Sequence, residues 1–131
     1  RLTDQFFQMY EFEPIFANKC VYSLPQKHII MVKHIILWTL RSELPEDEKN
    51  SVKAGIKAGL ESLKGVVPGL VDVNVVIDGR LASSNADVML DCTLESEEAL
   101  KAYAVHPAHV AVADSKIRPY TSVRSCLDFE I

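Results

Sequence analysis

The sequence lacks the features that mark several large classes of protein. It has only three cysteines among 131 residues, an odd number without CxxC spacing, which argues against a disulfide framework and against zinc sites of the CxxC kind. No apolar run approaches the roughly 20 residues that a membrane helix needs. The net charge is −4 and no basic patch is visible, so we expect no nucleic-acid partner. These absences leave an ordinary globular protein, and its cysteine usage favours a reducing cytoplasm.

The motifs of the common enzyme families are absent as well. The sequence contains no GxGxxG, no phosphate-binding P-loop, no GxSxG and no HExxH. Nucleotide chemistry and the common hydrolase routes therefore have no support. Hydrophobic residues make up 48% and charged residues 24%, which is typical of a single domain of this length. We predict no cofactor and no membrane association.

The first 30 residues differ from the rest of the chain. They hold four of the five phenylalanines, their charges cancel, and they lack the basic start and the longer apolar run of a secretory signal. Because Met31 is followed directly by a strand pattern, we predict a domain over residues 31–131 after an aromatic-rich extension over residues 1–30. Two interpretations of the extension stay open: a segment that tethers a dimer, or a non-native leader.

Hydrophobic periodicity predicts alternating strands and helices from residue 31 onward. The predicted strands cover residues 32–40, 70–78, 87–94 and 121–130, and the predicted helices cover about 46–64, 97–105 and 107–117. The first two helices begin with acidic residues, which favour the positive end of the helix dipole. The last helix is opened by Pro107, with His106 placed to be its N-cap.

The order β-α-β-β-α-β predicts an α+β fold of the ferredoxin-like type, with a four-stranded antiparallel sheet and helices on one face. The first strand is apolar on both sides, since His34, Ile36 and Trp38 share one face while Ile35 and Leu37 share the other. The face without helices therefore needs a cover, and a second copy of the chain is the economical one. We predict a homodimer in which two sheets close into a barrel.

Histidines supply the candidate chemistry, because histidine is the side chain that titrates nearest neutral pH. His34 lies on the first strand, and His106 and His109 flank Pro107. His106 is best explained as a helix cap. For His34 and His109 two interpretations stay open: a pocket residue, or a side chain whose nitrogens are satisfied by neighbouring backbone. Histidine is a common metal ligand, so His34, His106 and His109 could form a metal site by residue type alone. No carboxylate is placed to join them, and we therefore predict no metal.

Two segments resemble the stress-responsive A/B barrel family of dimeric α/β barrel proteins. They are Val-Lys-His-Ile-Ile at residues 32–36 and Ala-Tyr-Ala-Val-His-Pro-Ala-His-Val at residues 102–110, and the resemblance covers residues 31–131. It implies a homodimer of ferredoxin-like subunits. Most members of the family have no assigned activity, and one plant member closes a polyketide by aldol condensation.

The resemblance to that plant cyclase implies a pocket lined by His34, Tyr103 and His109, with Trp38 as a further wall. In an enzyme, His109 would be the general base, Tyr103 its orienter or oxyanion donor, and His34 a second polar anchor. Two further polar positions of the cyclase are apolar here, which argues against the same activity. Three functions follow as alternatives: binding of a small apolar or aromatic molecule, a cyclase- or lyase-like enzyme, and an assembly protein without a ligand.

Overall fold

The computed structural model describes residues 30–131, and the predicted extension therefore lies outside the described residues apart from Ile30. Strands and helices follow in the order that the sequence predicts. The strands are β1 (Val32–Leu40), β2 (Leu70–Val76), β3 (Val88–Leu94) and β4 (Thr121–Glu130), and the helices are α1 (Glu46–Glu61), α2 (Glu97–Val105) and α3 (Pro107–Val112). A π-helical turn (Ala113–Ile117) and a 3₁₀ turn (Arg118–Tyr120) connect α3 to β4. In this part of the chain, no helix has the length and apolar character needed to cross a membrane.

The four strands form one antiparallel sheet in the order β2-β3-β1-β4, which is the ferredoxin-like arrangement. The predicted fold class is confirmed. β1 is a central strand, paired with β3 on one side and with β4 on the other. Directly opposed residues of antiparallel strands project to the same face. His34, which lies opposite both Cys92 and Asp128, therefore shares its face of the sheet with both.

The helices cover this face of the sheet and bury the core. On α1, Val52, Ile56 and Leu60 recur every four residues, so they form one apolar stripe. They belong to a single buried cluster with alternate residues of the strands, which include Ile36, Trp38, Leu40, Val73, Val75, Val88, Leu90, Cys92 and Leu94. The face of β1 predicted to carry Ile36 and Trp38 is thus the buried one, as the period of two requires.

Two helix ends differ from the sequence prediction. α1 ends at Glu61 rather than near Lys64, because the chain tightens into turns in which the Leu63 N–H donates to the Leu60 carbonyl at 3.1 Å. α3 ends at Val112, because the next five residues wind as a π-helix instead of continuing the α-helix. Hydrophobic periodicity does not distinguish these tighter or wider turns from an α-helix.

The alternation in β2 is also broken at its start. The pairing of β2 with β3 shifts between Leu70 and Asp72, so the residue between them, Val71, is left out of the register. Val71 is therefore exposed, whereas Val73 and Val75, the next alternate residues of the strand, are buried.

The second face of the sheet has no helix over it and carries an apolar patch on β1 and β4. Leu37 on β1 and Val123, Leu127 and Phe129 on β4 are all exposed there. The register places Ile35 directly opposite Leu127, so the apolar surface is continuous across the two strands. A contiguous apolar surface of this kind marks an interaction site.

A prediction on stability concerns Gly69, in the turn before β2. Its φ is 81°, and a Cβ built there lies 2.7 Å from the Ala99 Cβ on α2. Gly65 has a φ of 85° but nothing within 4 Å of a built Cβ, so it is the matched control. We expect Gly69→Ala to lower the free energy of unfolding by about 2–5 kcal/mol, since steric overlap adds to backbone strain, and Gly65→Ala by about 1–2 kcal/mol. Urea unfolding measures both, and equal losses would contradict the steric account.

Candidate functional site

A cavity of about 370 Å³ lies between the helix-covered face of the sheet and the segment from α2 to the start of β4. All four residues predicted for a pocket line it: His34 and Trp38 from β1, Tyr103 from α2 and His109 from α3. The other lining residues are Ile36, Leu60, Leu90, Ala104, Ala113, Ile117, Arg118, Thr121 and Arg124. The walls are therefore mostly apolar, with histidine and arginine supplying the charged or titratable groups.

A larger and more open depression of about 520 Å³ lies along the connection between β2 and β3. It is lined by Arg80, Asp87 and neighbouring loop residues, and no histidine or cysteine contributes to it. The guanidinium of Arg80 is already engaged within the protein, because it donates to the carbonyl of Ala86 and pairs with Asp87 at 3.1 Å. The smaller cavity is the better candidate site, since it holds the two histidines, which titrate nearest neutral pH.

Helix capping at the α2–α3 junction positions His109, and it engages the side chain of His106 in a hydrogen bond to the backbone. The Ala99 N–H donates to Ser96 Oγ at 3.0 Å at the start of α2. The Ala108 N–H donates to His106 Nδ1 at 3.1 Å at the start of α3, with Pro107 in the first turn. The predicted capping role of His106 is confirmed, and His106 is not among the cavity residues.

His109 is oriented by the backbone of the preceding helix. Its Nδ1 lies 3.2 Å from the carbonyl oxygen of Ala104. Because a carbonyl only accepts, Nδ1 carries the proton and donates, which leaves Nε2 of the neutral ring as a proton acceptor. Burial is the main cause that lowers the pKa of His109. A neutral imidazole is therefore the favoured form near pH 7.

His34 meets a carboxylate that the sequence does not single out. Its Nδ1 lies 2.5 Å from Oδ1 of Asp128 on β4, its direct partner in the β1–β4 register. The carboxylate accepts, so Nδ1 donates and Nε2 is again the free nitrogen. His34 is only 8% exposed, and the partner of its Nδ1 is a side chain rather than neighbouring backbone.

The ring of Tyr103 lies between the two histidines. Its centroid is 4.3 Å from that of His109 in a tilted stack and 6.0 Å from that of His34 in an edge-on contact. The buried hydroxyl has no hydrogen-bond partner within residues 30–131, although it lies beside the Cys92 thiol. Burial raises the pKa of Tyr103 and raises the pKa of Cys92 to about 12, so both stay protonated at neutral pH. Tyr103 thus contacts His109 through its ring, and its role as oxyanion donor stays a prediction.

Two arginines bring positive charge to the cavity. Arg118 pairs with Asp114 four residues before it. Arg124 on β4 takes part in no ion pair within the described residues. Burial is the largest effect on the pKa of His109 and lowers it, and the hydrogen bond to the Ala104 backbone partly opposes this by raising the pKa. The charges of His34, Arg118 and Arg124 have smaller effects and lower the pKa further. The site therefore favours a negatively charged group over a positively charged one.

The residues that the sequence prediction missed all lie on or next to β4. Asp128 touches His34, and Cys126 lies on the same face two residues earlier, so that the donor atoms of the three side chains all lie within 4.8 Å of one another. His34, His106 and His109, which the sequence offered by residue type alone, do not converge in this way among residues 30–131. In the sequence, the Cys-Leu-Asp spacing indicates only that Cys126 and Asp128 share a face of the strand. That they lie beside His34 follows from the strand register.

Known proteins share both sequence and fold with this chain. A dimeric protein of unknown function with a ferredoxin-like fold from Bacteroides fragilis is 29% identical; the match covers 77% of this chain and 96% of that one, with a TM-score of 0.72. A dimeric ferredoxin-like protein of unknown function from Thermobifida fusca is 23% identical over 85% and 100% of the two chains, with a TM-score of 0.65. The hydroxynitrile lyase of Passiflora edulis is 16% identical over 77% and 93%, with a TM-score of 0.59. The last two similarities show the fold alone.

No curated protein sequence matches the chain significantly. The model of the family described as stress responsive A/B barrel domain matches residues 32–131. That match includes the first-strand histidine and the His-Pro-Ala-His segment on which the sequence resemblance rests. Because the match covers well over half of the chain, this protein belongs to the stress responsive A/B barrel domain family.

Proposed function

We propose that this protein is a homodimer that binds a small apolar or aromatic molecule in the cavity beside His34, Trp38, Tyr103 and His109. The observation that carries the proposal is an open volume of about 370 Å³ into which two differently held histidines project. Ligand sites are typically concave and mostly apolar with a few placed polar groups, in volumes from about 300 Å³ upward. The positive charge of Arg124, which takes part in no ion pair among residues 30–131, favours a ligand with an acidic group.

A second candidate is an enzyme of the cyclase or lyase kind, with His109 as general base. It is supported by the hydrogen bond from Nδ1 to Ala104, which leaves Nε2 free to accept a proton, and by the lowered pKa. His34 would be the second polar anchor, held in place by Asp128. Tyr103 would orient His109 through its ring. One protein of similar fold, the hydroxynitrile lyase of Passiflora edulis, is an enzyme of the lyase class.

A third candidate, an assembly protein without a ligand, is less well supported. It predicts histidines bonded to backbone and no open volume. His109 does donate to a backbone carbonyl, but His34 does not, and the cavity between them is open. The free thiols of Cys92 and Cys126 favour a cytoplasmic location for the protein in any of the three roles.

The dimer in this proposal forms through the open face of the sheet. The exposed side chains of Leu37, Leu127 and Phe129 give that face the apolar character of an obligate interface. The related proteins from Bacteroides fragilis and Thermobifida fusca are both described as dimeric. The role of residues 1–30 as a tether of the dimer remains part of the proposal, because they lie outside the described residues except for Ile30.

Binding can be tested with naphthoate, a small aromatic acid, because Trp38 is the only tryptophan and lines the cavity. Its indole N–H gives one NMR signal that reports on the site. Ala113 also lines the cavity and is buried, whereas Ala111 is exposed one half-turn away, so Ala113→Leu fills the cavity and Ala111→Leu is the matched control. We expect naphthoate to shift the indole signal in the wild type and in Ala111→Leu, and to bind Ala113→Leu about 5- to 150-fold more weakly. Equal affinity in the two variants would place the ligand elsewhere.

The lowered pKa of His109 predicts a pH dependence of stability. The unfolded chain takes up the proton first, at a pKa near about 6.5, so stability is complete above that pH and falls as the pH drops toward the lower pKa of the folded state. The loss attributable to His109 is at most about 1.4 kcal/mol for each pH unit in that window. His109→Asn keeps an N–H donor for Ala104 but does not titrate, so its stability should fall less on acidification. NMR titration of the His109 ring checks the pKa directly, and a value above that of free histidine would contradict the prediction.

The open-face dimer predicts a difference between two exposed apolar residues. Leu127 lies on the open face and is 62% exposed, while Val105 at the end of α2 is 74% exposed on the opposite side of the sheet. We expect Leu127→Lys to weaken dimerisation by more than about a hundredfold, because a charge would be desolvated where an apolar side chain is buried in each subunit. Val105→Lys should leave the dimer unchanged. Light scattering over a dilution series gives the masses, and a monomeric wild type at all concentrations would refute the interface.

A further inference from the structure

β1 and β4 bring a nitrogen, a sulfur and an oxygen donor together at one point of the sheet. Cys126 and Asp128 are two residues apart on β4 and so lie on the same face, and the register sets Asp128 directly opposite His34. The His34 Nδ1 is 2.5 Å and the Cys126 Sγ is 3.4 Å from Oδ1 of Asp128. All three donor atoms lie within 4.8 Å of one another. The convergence is a product of strand pairing, since His34 is far from the other two in sequence.

We propose that His34, Cys126 and Asp128 bind a divalent transition-metal ion, for which zinc is the best match. Imidazole nitrogen, thiolate and carboxylate are the three donor types that zinc takes in proteins, at about 2.0–2.3 Å. Tetrahedral ligands at those bond lengths are roughly 3.5 Å apart, a value that the donor separations in this cluster bracket. Magnesium and calcium require oxygen ligands, so a set with sulfur and nitrogen disfavours both.

The burial of the three side chains suits an ion that enters from solvent. His34 is 8% exposed and held in one orientation, while Cys126 and Asp128 are exposed on the edge strand. Binding would displace the proton that His34 Nδ1 donates to Asp128 and the proton of the Cys126 thiol, and the resulting thiolate and carboxylate together offset the charge of a divalent ion. The positive charge of Arg124, which lies on the same face two residues before Cys126, opposes the ion, so Arg124→Gln should tighten binding.

Three protein ligands leave one tetrahedral position for water or another small ligand, as in catalytic rather than structural zinc sites. His34 also lines the cavity, so the ion would lie at the side of the cavity next to β4. The metal site goes beyond the proposed binding of an organic molecule and does not depend on it, because Cys126 and Asp128 are not among the cavity residues.

The test uses Co²⁺ alone, added to the full chain with Cys20→Ser so that the cysteine outside the described residues is removed. Cys92 stays in place because it is fully buried. We expect one Co²⁺ per chain, a thiolate-to-cobalt charge-transfer band, and displacement of the ion by Zn²⁺. Adding Cys126→Ser should remove the band and weaken binding by more than about tenfold, and adding Asp128→Asn should weaken binding similarly while the band remains.

Three outcomes of this experiment would contradict the metal site. A band that persists in Cys126→Ser, an affinity unchanged in both variants, or no cobalt binding to the parent chain would overturn the proposal. Circular dichroism and thermal unfolding confirm that the variants are folded, and the exposed position of Cys126 makes its conservative replacement by serine a mild change. Naphthoate binding measured on Cys126→Ser separates the two proposals, because it should be retained whether or not the metal site exists.

Discussion

The structure depends on the pairing of β1 with both of its neighbours. Because side chains alternate along a strand, a shift of one residue in this register would turn His34, Ile36 and Trp38 to the open face and remove both the core and the cavity wall. The same register brings Asp128 to His34. One set of backbone hydrogen bonds therefore determines the buried core, the orientation of a cavity histidine and the cluster of donor atoms on β4.

The junction between α2 and α3 decides how His106 and His109 are used. Pro107 supplies no N–H, and His106 accepts the hydrogen bond from Ala108, so the new helix starts at a defined residue and in a defined direction. That direction brings His109 back over the end of α2, where the Ala104 carbonyl accepts a hydrogen bond from its Nδ1 and Tyr103 packs on its ring. His106 stabilises the junction, and this leaves His109 free for chemistry in the cavity.

β4 carries different surfaces on its two faces. Leu127 and Phe129 belong to the apolar face that a second copy would cover, whereas Arg124, Cys126 and Asp128 lie beside the cavity on the face with the helices. The strand is exposed along nearly its whole length, because it lies at the edge of the sheet beyond the reach of the helices.

The strands, the helix starts, the cap at His106 and the buried face of β1 were predictable, because each is a local consequence of side-chain period or backbone chemistry in a short segment. Motif resemblance also identified the family and the four residues around the cavity. The end of α1 and the π-helical turn after α3 were not predictable, since hydrophobic periodicity does not distinguish one kind of helical turn from another, and the displaced Val71 was not, since it depends on the pairing of β2 with β3. The partnership of His34 with Asp128 likewise required the tertiary structure. Sequence alone determined which side chains share a face of β1 and of β4, and only strand pairing decided which residues meet across the sheet.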